Sequence, residues 1–228
     1  EIPFASQLFT PDWLVQYITD NTLGQLWLEN NPNSSIKNEM KYYVKRDTVG
    51  NGNIKIEDIK IFDPCCGSAH ILVYAFDLLV KIYEEEGYSK NEIPKLILER
   101  NLFGCDIDKR AAVLANFALT MKATLYHKRF LKKPVKPNVI VLEEYGDERF
   151  EGIKNFGSLV RIEKENDFND GIFSHTSDEY NLQIKLLTDK FDCVITNPPY
   201  INSAYMNDDL KEFVSKNYPN TKSDLFAA

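Results

Sequence analysis

The stretch IKIFDPCCGSAHILVYAFDLLVKIY, residues 59–83, decides the fold. It opens as an apolar strand, Ile59 to Asp63, and breaks at Asp63-Pro64-Cys65-Cys66-Gly67-Ser68-Ala69-His70. From there it runs directly into an apolar helix expected over Ile71 to Tyr83. A strand, a Gly-containing turn and a helix in immediate succession form the ligand-cradling first unit of a doubly wound α/β sheet, with the helix start facing the ligand. The acid at the strand tip selects the ligand. Asp63 would repel a pyrophosphate but hold a cationic amine or sulfonium, so this turn departs from a dinucleotide site.

Downstream, Ser89 and Glu92 suggest a capping box for a helix over Ile93 to Arg100. Leu102-Phe103-Gly104-Cys105-Asp106-Ile107-Asp108 then reads as a second strand ending in an acid. Asp106 is placed to accept both hydroxyls of a ribose, although it follows the first strand by about twice the spacing, roughly 20 residues, of the dinucleotide fingerprint. The inserted helix accounts for the excess. Asp108 suits the N-cap of an Ala-rich helix over Arg110 to Ala123. A third strand is expected over Val139 to Leu142, followed by Glu143 and Glu144. The polar stretch beyond it contains Phe156-Gly157-Ser158-Leu159 and an acidic run, Glu163 to Asp170, that reads as a solvated loop. Leu182 to Leu187 form a short helix.

A fourth strand follows in FDCVITNPPY, residues 191–200. Its β-branched run stops abruptly at Asn197-Pro198-Pro199-Tyr200, at the carboxyl end of the strand, where open α/β sheets keep their ligands. Two prolines fix φ and remove two backbone donors, so the loop presents acceptors in a rigid frame. The side-chain carbonyl of Asn197 and the backbone carbonyl of Pro198 can converge on one NH2 group, holding its hydrogens and aiming its lone pair away from the protein. Tyr200 offers an aromatic face for a planar ring beside that amine. A planar ring with an exocyclic amine describes a nucleobase. Beyond it lie a loop over Ile201 to Met206, a helix near Asp208 to Ser215, and Lys222-Ser223-Asp224-Leu225-Phe226.

Upstream, Phe9-Thr10-Pro11-Asp12 reads as a helix start, with Thr10 as N-cap and Pro11 in the first helical position. Val15, Ile18, Thr22 and Leu26 continue it at helical spacing. Residues 30–58 carry little periodicity and read as a connection with a small hairpin around Asn51-Gly52. The chain thus divides into an amino-terminal helix and connection, residues 1–58, and an α/β core, residues 59–228.

The 228 residues suffice for one large α/β domain. No apolar run approaches the roughly 20 residues of a membrane span, and no signal peptide opens the chain, so a cytoplasmic protein without membrane contact is expected. The first residue is Glu, which suggests a segment of a longer protein. The four cysteines form no C-x-x-C pair and the three histidines are scattered, so neither disulfides nor a metal site is expected. A net charge of −7 argues against a broad DNA-binding face within this segment.

These motifs together resemble the adenine-N6 DNA methyltransferases that use S-adenosylmethionine. Phe9-Thr10-Pro11 looks like the family's amino-terminal cofactor motif, Asp63 to His70 like its D-P-x-C-G-S-G motif, and Gly104 to Asp108 like its G-x-D-I-D motif. Asn197 to Tyr200 is similar to its catalytic N-P-P-Y, and Lys222 to Phe226 to the start of the following helix. The F-T-P-D-W opening and the stretch from Asp63 to Asp77 look more narrowly like the methyltransferase of BREX phage-defence systems, with type II restriction-modification methyltransferases as the close competitor. The resemblance implies a class I methyltransferase fold, a doubly wound Rossmann-like sheet, here expected to stop after the fourth strand with an exposed edge that invites self-association. It implies a cofactor site of Phe9, Thr10, Pro11, Asp63, Cys65, Gly67, Asp106 and Ile107, and a catalytic loop of Asn197, Pro198, Pro199 and Tyr200. Double-stranded DNA would be held through a recognition domain outside this segment. Ala69 stands where the family usually has Gly, so its methyl is expected to crowd the cofactor carboxylate. The third-strand contribution falls to Glu143 or to the turn at Ser158. Methylation of glutamine or RNA, or a non-catalytic cofactor-binding module, are the alternatives.

Overall fold

The computed structural model describes residues 10–46, 50, 52, 54–162 and 177–227. The chain opens with α1 (Asp12–Thr19) and α2 (Gln25–Asn30), joined by a π-helical turn, Asp20–Gly24. The expected single helix is therefore interrupted. Asp20, fully buried, accepts hydrogen bonds from the Tyr74 hydroxyl at 2.8 Å and the Tyr42 N–H at 3.1 Å, contacts the widened turn accommodates. No strand lies among the described residues of 30–58, and Asn51 of the expected hairpin is outside them.

The core then follows as β1 (Ile61–Asp63), α3 (His70–Glu85), α4 (Ile93–Leu96), β2 (Leu102–Asp106), α5 (Lys109–Tyr126) and β3 (Asn138–Val141). After these come α6 (Ile153–Phe156), α7 (Asp178–Thr188), β4 (Cys193–Val194) and α8 (Asp208–Asn217). The four strands form a parallel sheet in the order β3-β2-β1-β4. The chain winds outward from β1 through β2 to β3 and then crosses to the other side of β1 for β4. That reversal creates a crevice at the carboxyl ends of β1 and β4, which is where a doubly wound sheet binds ligands.

Strand alternation builds a core on each face of the sheet. Ile61, Leu102, Val139 and Cys193 belong to one core with Val15, Leu72, Phe76, Ile97 and Leu119. Phe62, Phe103 and Ile140 belong to the other with Ile153, Tyr180 and Ile184. Trp27, Ile36 and Ile56 from the amino-terminal segment share the first core. Gly104 is needed for close approach: a Cβ there would lie 3.0 Å from Leu72 Cδ1 and 3.3 Å from Cys66 Sγ.

Candidate active site

The β1–α3 turn is stitched to β2 by main-chain and side-chain bonds. The Cys66 N–H donates to the Cys105 carbonyl at 3.0 Å, the Cys105 thiol lies 3.2 Å from the Pro64 carbonyl, and the Gly67 N–H donates to Asp106 Oδ2 at 2.9 Å. Asp106 Oδ1 accepts from the Asp108 N–H at 2.8 Å. Gly67 has φ +52°, and a Cβ built on it meets nothing within 4 Å, so its surface stays open for a ligand. Asp63 is 2% exposed. Its Oδ1 accepts from the Thr196 hydroxyl at 2.8 Å and the Cys65 N–H at 3.3 Å, and neither uses Oδ2. Burial raises its carboxyl to about 7, against the pull of those two donors, and the neighbouring Asp106 charge adds to the rise. Burial likewise raises Asp106. Two acids at the floor of one crevice, neither matched by a basic side chain among the described residues, suit a cationic ligand. The residues present thus fit the cationic methionine end of S-adenosylmethionine. Burial pushes the Cys65 thiol up to about 12, so it stays protonated and is no thiolate nucleophile.

Asn197 to Tyr200 leave the end of β4 beside this floor. The side-chain amide nitrogen of Asn197 donates to the Thr10 hydroxyl at 2.8 Å, and its carbonyl oxygen accepts from the Tyr200 hydroxyl at 2.9 Å. Thr10 therefore does not cap α1, which starts at Asp12 without a side-chain cap; its hydroxyl serves the loop instead. By holding the amide nitrogen, Thr10 fixes the carbonyl end of Asn197 toward Tyr200. Tyr200 is 49% exposed and packs against Phe226, with ring centroids 5.6 Å apart. The 222–226 segment reaches this position by pairing with the loop: Leu225 N–H donates to the Ile201 carbonyl at 2.9 Å and Ser203 N–H to the Ser223 carbonyl at 3.0 Å.

Comparison with known proteins places the chain in a family. Residues 100–228 match the Eco57I restriction-modification methylase family. The chain belongs to that family. Along its whole length this chain is 34% identical to the adenine-specific methyltransferase BrxX of Escherichia coli O9:H4 (strain HS). It is 33% identical, again along its whole length, to the adenine-specific methyltransferase PglX of Lacticaseibacillus casei (strain Zhang). It spans about a quarter of the length of these relatives, 25% and 24%. A nuclease-deletion mutant of the Type ISP restriction-modification enzyme LlaGI, solved with a DNA substrate mimic, shares the fold. It aligns with 92% of this chain and 15% of its own, with a TM-score of 0.50 at 15% identity.

In this chain Asp63, Cys65, Gly67 and Asp106 come together at the crevice, and Asn197 and Tyr200 flank it with Thr10. Pro11 is exposed next to Thr10, and Pro198 and Pro199 are half-buried in the loop. Ile107 is half-buried, with its Cγ2 near the position a Cβ on Gly157 would take, at 3.6 Å. That contact brings the turn before Ser158 beside the β2 tip. Glu143, by contrast, forms an ion pair with Lys154 at 2.6 Å. Phe9 lies outside the described residues. Ala69 does not crowd the cradle. It is fully buried in the first core, and its φ of +68° shows why glycine suits this position. Thr196 was missed because a Thr inside an apolar β-branched run reads as strand filler.

Proposed function

We propose that this chain is the catalytic core of a cytoplasmic DNA adenine-N6 methyltransferase serving phage defence of the BREX kind or restriction-modification. One observation carries the reading: the amine-accepting loop is hydrogen-bonded to the cation-binding cradle, through Thr196 on Asp63, so an amine held by the first lies beside a ligand held by the second. Asp63 would hold the methionine ammonium, Cys65 and Gly67 would border the methionine part, Asp106 would accept from the ribose hydroxyls, and Ile107 would pack on the cofactor's adenine. Phe9, Thr10 and Pro11 would close the amino-terminal side. S-adenosylmethionine, when bound, supplies an electrophilic methyl on a sulfonium.

The protein's part is positioning. The target adenine must leave the duplex, since its amine is otherwise buried in the stack. Asn197 Oδ1 and the Pro198 carbonyl would then accept the two amine hydrogens, directing the nitrogen lone pair at the methyl, while Pro199 stiffens the loop and Tyr200 stacks on the base. Holding nucleophile and electrophile in line supplies several kcal/mol of the barrier reduction. The Tyr200 hydroxyl must first release Asn197 Oδ1, which it occupies here. Double-stranded DNA would be gripped by a recognition domain outside residues 1–228, in keeping with the charge of −7. The outer edge of β4 is unpaired among the described residues and Val194 is 56% exposed, so the isolated segment would self-associate there.

The test incubates the intact protein with methyl-labelled S-adenosylmethionine and, separately, DNA, RNA and protein substrates. Label in DNA recovered as N6-methyladenine is expected. Label confined to RNA or to a glutamine side chain would overturn the reading.

A further inference from the structure

Thr196 stands one residue before the amine-accepting loop, and its hydroxyl reaches back into the cofactor cradle. Oγ1 lies 2.8 Å from Asp63 Oδ1 and 2.9 Å from the Cys65 Sγ. The direction of this short chain follows from the thiol. Burial keeps Cys65 protonated, so its S–H donates to Thr196 Oγ1 and the Thr196 hydroxyl hydrogen is left for the Asp63 carboxylate. Backbone bonds fix the same corner from the other side, since the Ile195 N–H donates to the Phe62 carbonyl at 3.0 Å and the Cys65 N–H to Asp63 Oδ1 at 3.3 Å. Asp63 and the start of the loop are thus one hydrogen-bonded unit, 133 residues apart in sequence.

We infer that Thr196 is a positioning residue that joins the cofactor-holding carboxylate of Asp63 to the catalytic loop, so that one hydroxyl tunes cofactor capture and sets the placement of Asn197. This rests on the methyltransferase reading above. Two consequences follow. The hydroxyl stabilises the charged form of Asp63, the form able to hold an ammonium, and so opposes the burial that favours protonation. It also ties down the backbone immediately before Asn197, whose other restraints are the side-chain bonds to Thr10 and Tyr200. The titratable groups around Asp63 are Asp106 at the β2 tip and the Cys65, Cys66 and Cys105 thiols. Asp106 raises Asp63 by its charge, and burial holds all three thiols protonated. Removal of the Thr196 hydroxyl therefore acts on Asp63 with no basic partner among the described residues to compensate.

The test measures S-adenosylmethionine affinity from pH 5.5 to 9 for the intact wild-type protein, Thr196→Val and Thr196→Ser, with circular dichroism to establish folding. Affinity is expected to fall as pH drops through the Asp63 titration. In Thr196→Val that fall should move upward by about one pH unit, the equivalent of one lost hydrogen bond to a charged group. Thr196→Ser, which keeps the hydroxyl, should titrate like the wild type. At saturating cofactor and pH 9, where Asp63 is ionised in every variant, Thr196→Val should still transfer methyl groups about tenfold more slowly. Thr196→Ala replaces the Val variant if the latter does not fold, with the same expectation. A folded Val or Ala variant with the wild-type pH profile and rate would overturn the inference alone. A wild type that binds no S-adenosylmethionine would overturn the reading beneath it as well.

Discussion

The proposed cofactor cradle and the proposed catalytic loop lie side by side but are built differently. In the cradle, every carboxylate oxygen that is engaged accepts a backbone N–H or the Thr196 hydroxyl, with Asp63 pinned to Thr196 just beyond β4 and the Gly67 turn to Asp106 at the end of β2. In the loop, Asn197 is held by side chains alone, Thr10 and Tyr200, and the tyrosine is half exposed. A site that holds one unvarying cofactor gains from a preformed, buried frame. A site that must admit a flipped base needs contacts that exchange for the base's own. The difference implies that binding and chemistry separate cleanly by residue.

The largest expected effect breaks the loop. Asn197→Ala in the intact protein should abolish methylation, because the side-chain acceptor for the amine is lost, and substantial residual turnover would remove Asn197 from the chemistry. Next comes a test of the cradle's burial. The Asp63 carboxyl sits at about 7 in the fold against an ordinary 3.8, so the folded state binds the extra proton between those values. Stability from this group is therefore complete below about pH 4 and declines as pH rises toward 7. Relative to Asp63→Asn, the wild type should lose on the order of 4 kcal/mol across that window in urea unfolding. A difference that stays flat with pH would show Asp63 to be solvated.

Smaller effects sharpen the contrast. Asp106→Ala should weaken S-adenosylmethionine binding by roughly 1–3 kcal/mol, through loss of two hydroxyl contacts to a charged acceptor. Unchanged calorimetric affinity in a folded variant would exclude Asp106 from the site. Tyr200→Phe, which keeps the ring and frees Asn197 Oδ1, should alter kcat/KM by less than about 1 kcal/mol, whereas Tyr200→Ala should cost roughly 1–3 kcal/mol of base stacking. Equal losses in the two variants would make the hydroxyl, rather than the ring, the functional part.

Much of the fold was legible because its signals are local. The apolar runs before Asp63, Asp106 and Asn197 mark three strands whose polar ends meet at one edge, and Asp108 caps α5 as its position suggests, accepting from the Arg110 N–H at 2.8 Å. What sequence reading lost lies in long-range partnerships. Thr10 looks like a helix cap because capping is a three-residue signal, yet its hydroxyl bonds to a side chain 187 positions away. The π turns at Asp20–Gly24 and Ile97–Asn101 break helices that periodicity draws as continuous, since one extra residue per turn leaves the apolar pattern nearly intact. The Ala69 methyl was assigned to the cradle by its neighbours in sequence, whereas a left-handed backbone turns it into the core.

The separation of binding from chemistry is tested most directly by calorimetric titration of S-adenosylmethionine into the intact wild type, Asn197→Ala and Asp63→Asn at pH 8. Asn197→Ala is expected to bind like the wild type, and Asp63→Asn at least about tenfold more weakly, for loss of a charged partner to the ammonium. Equal weakening in both variants, or none in Asp63→Asn, would contradict it.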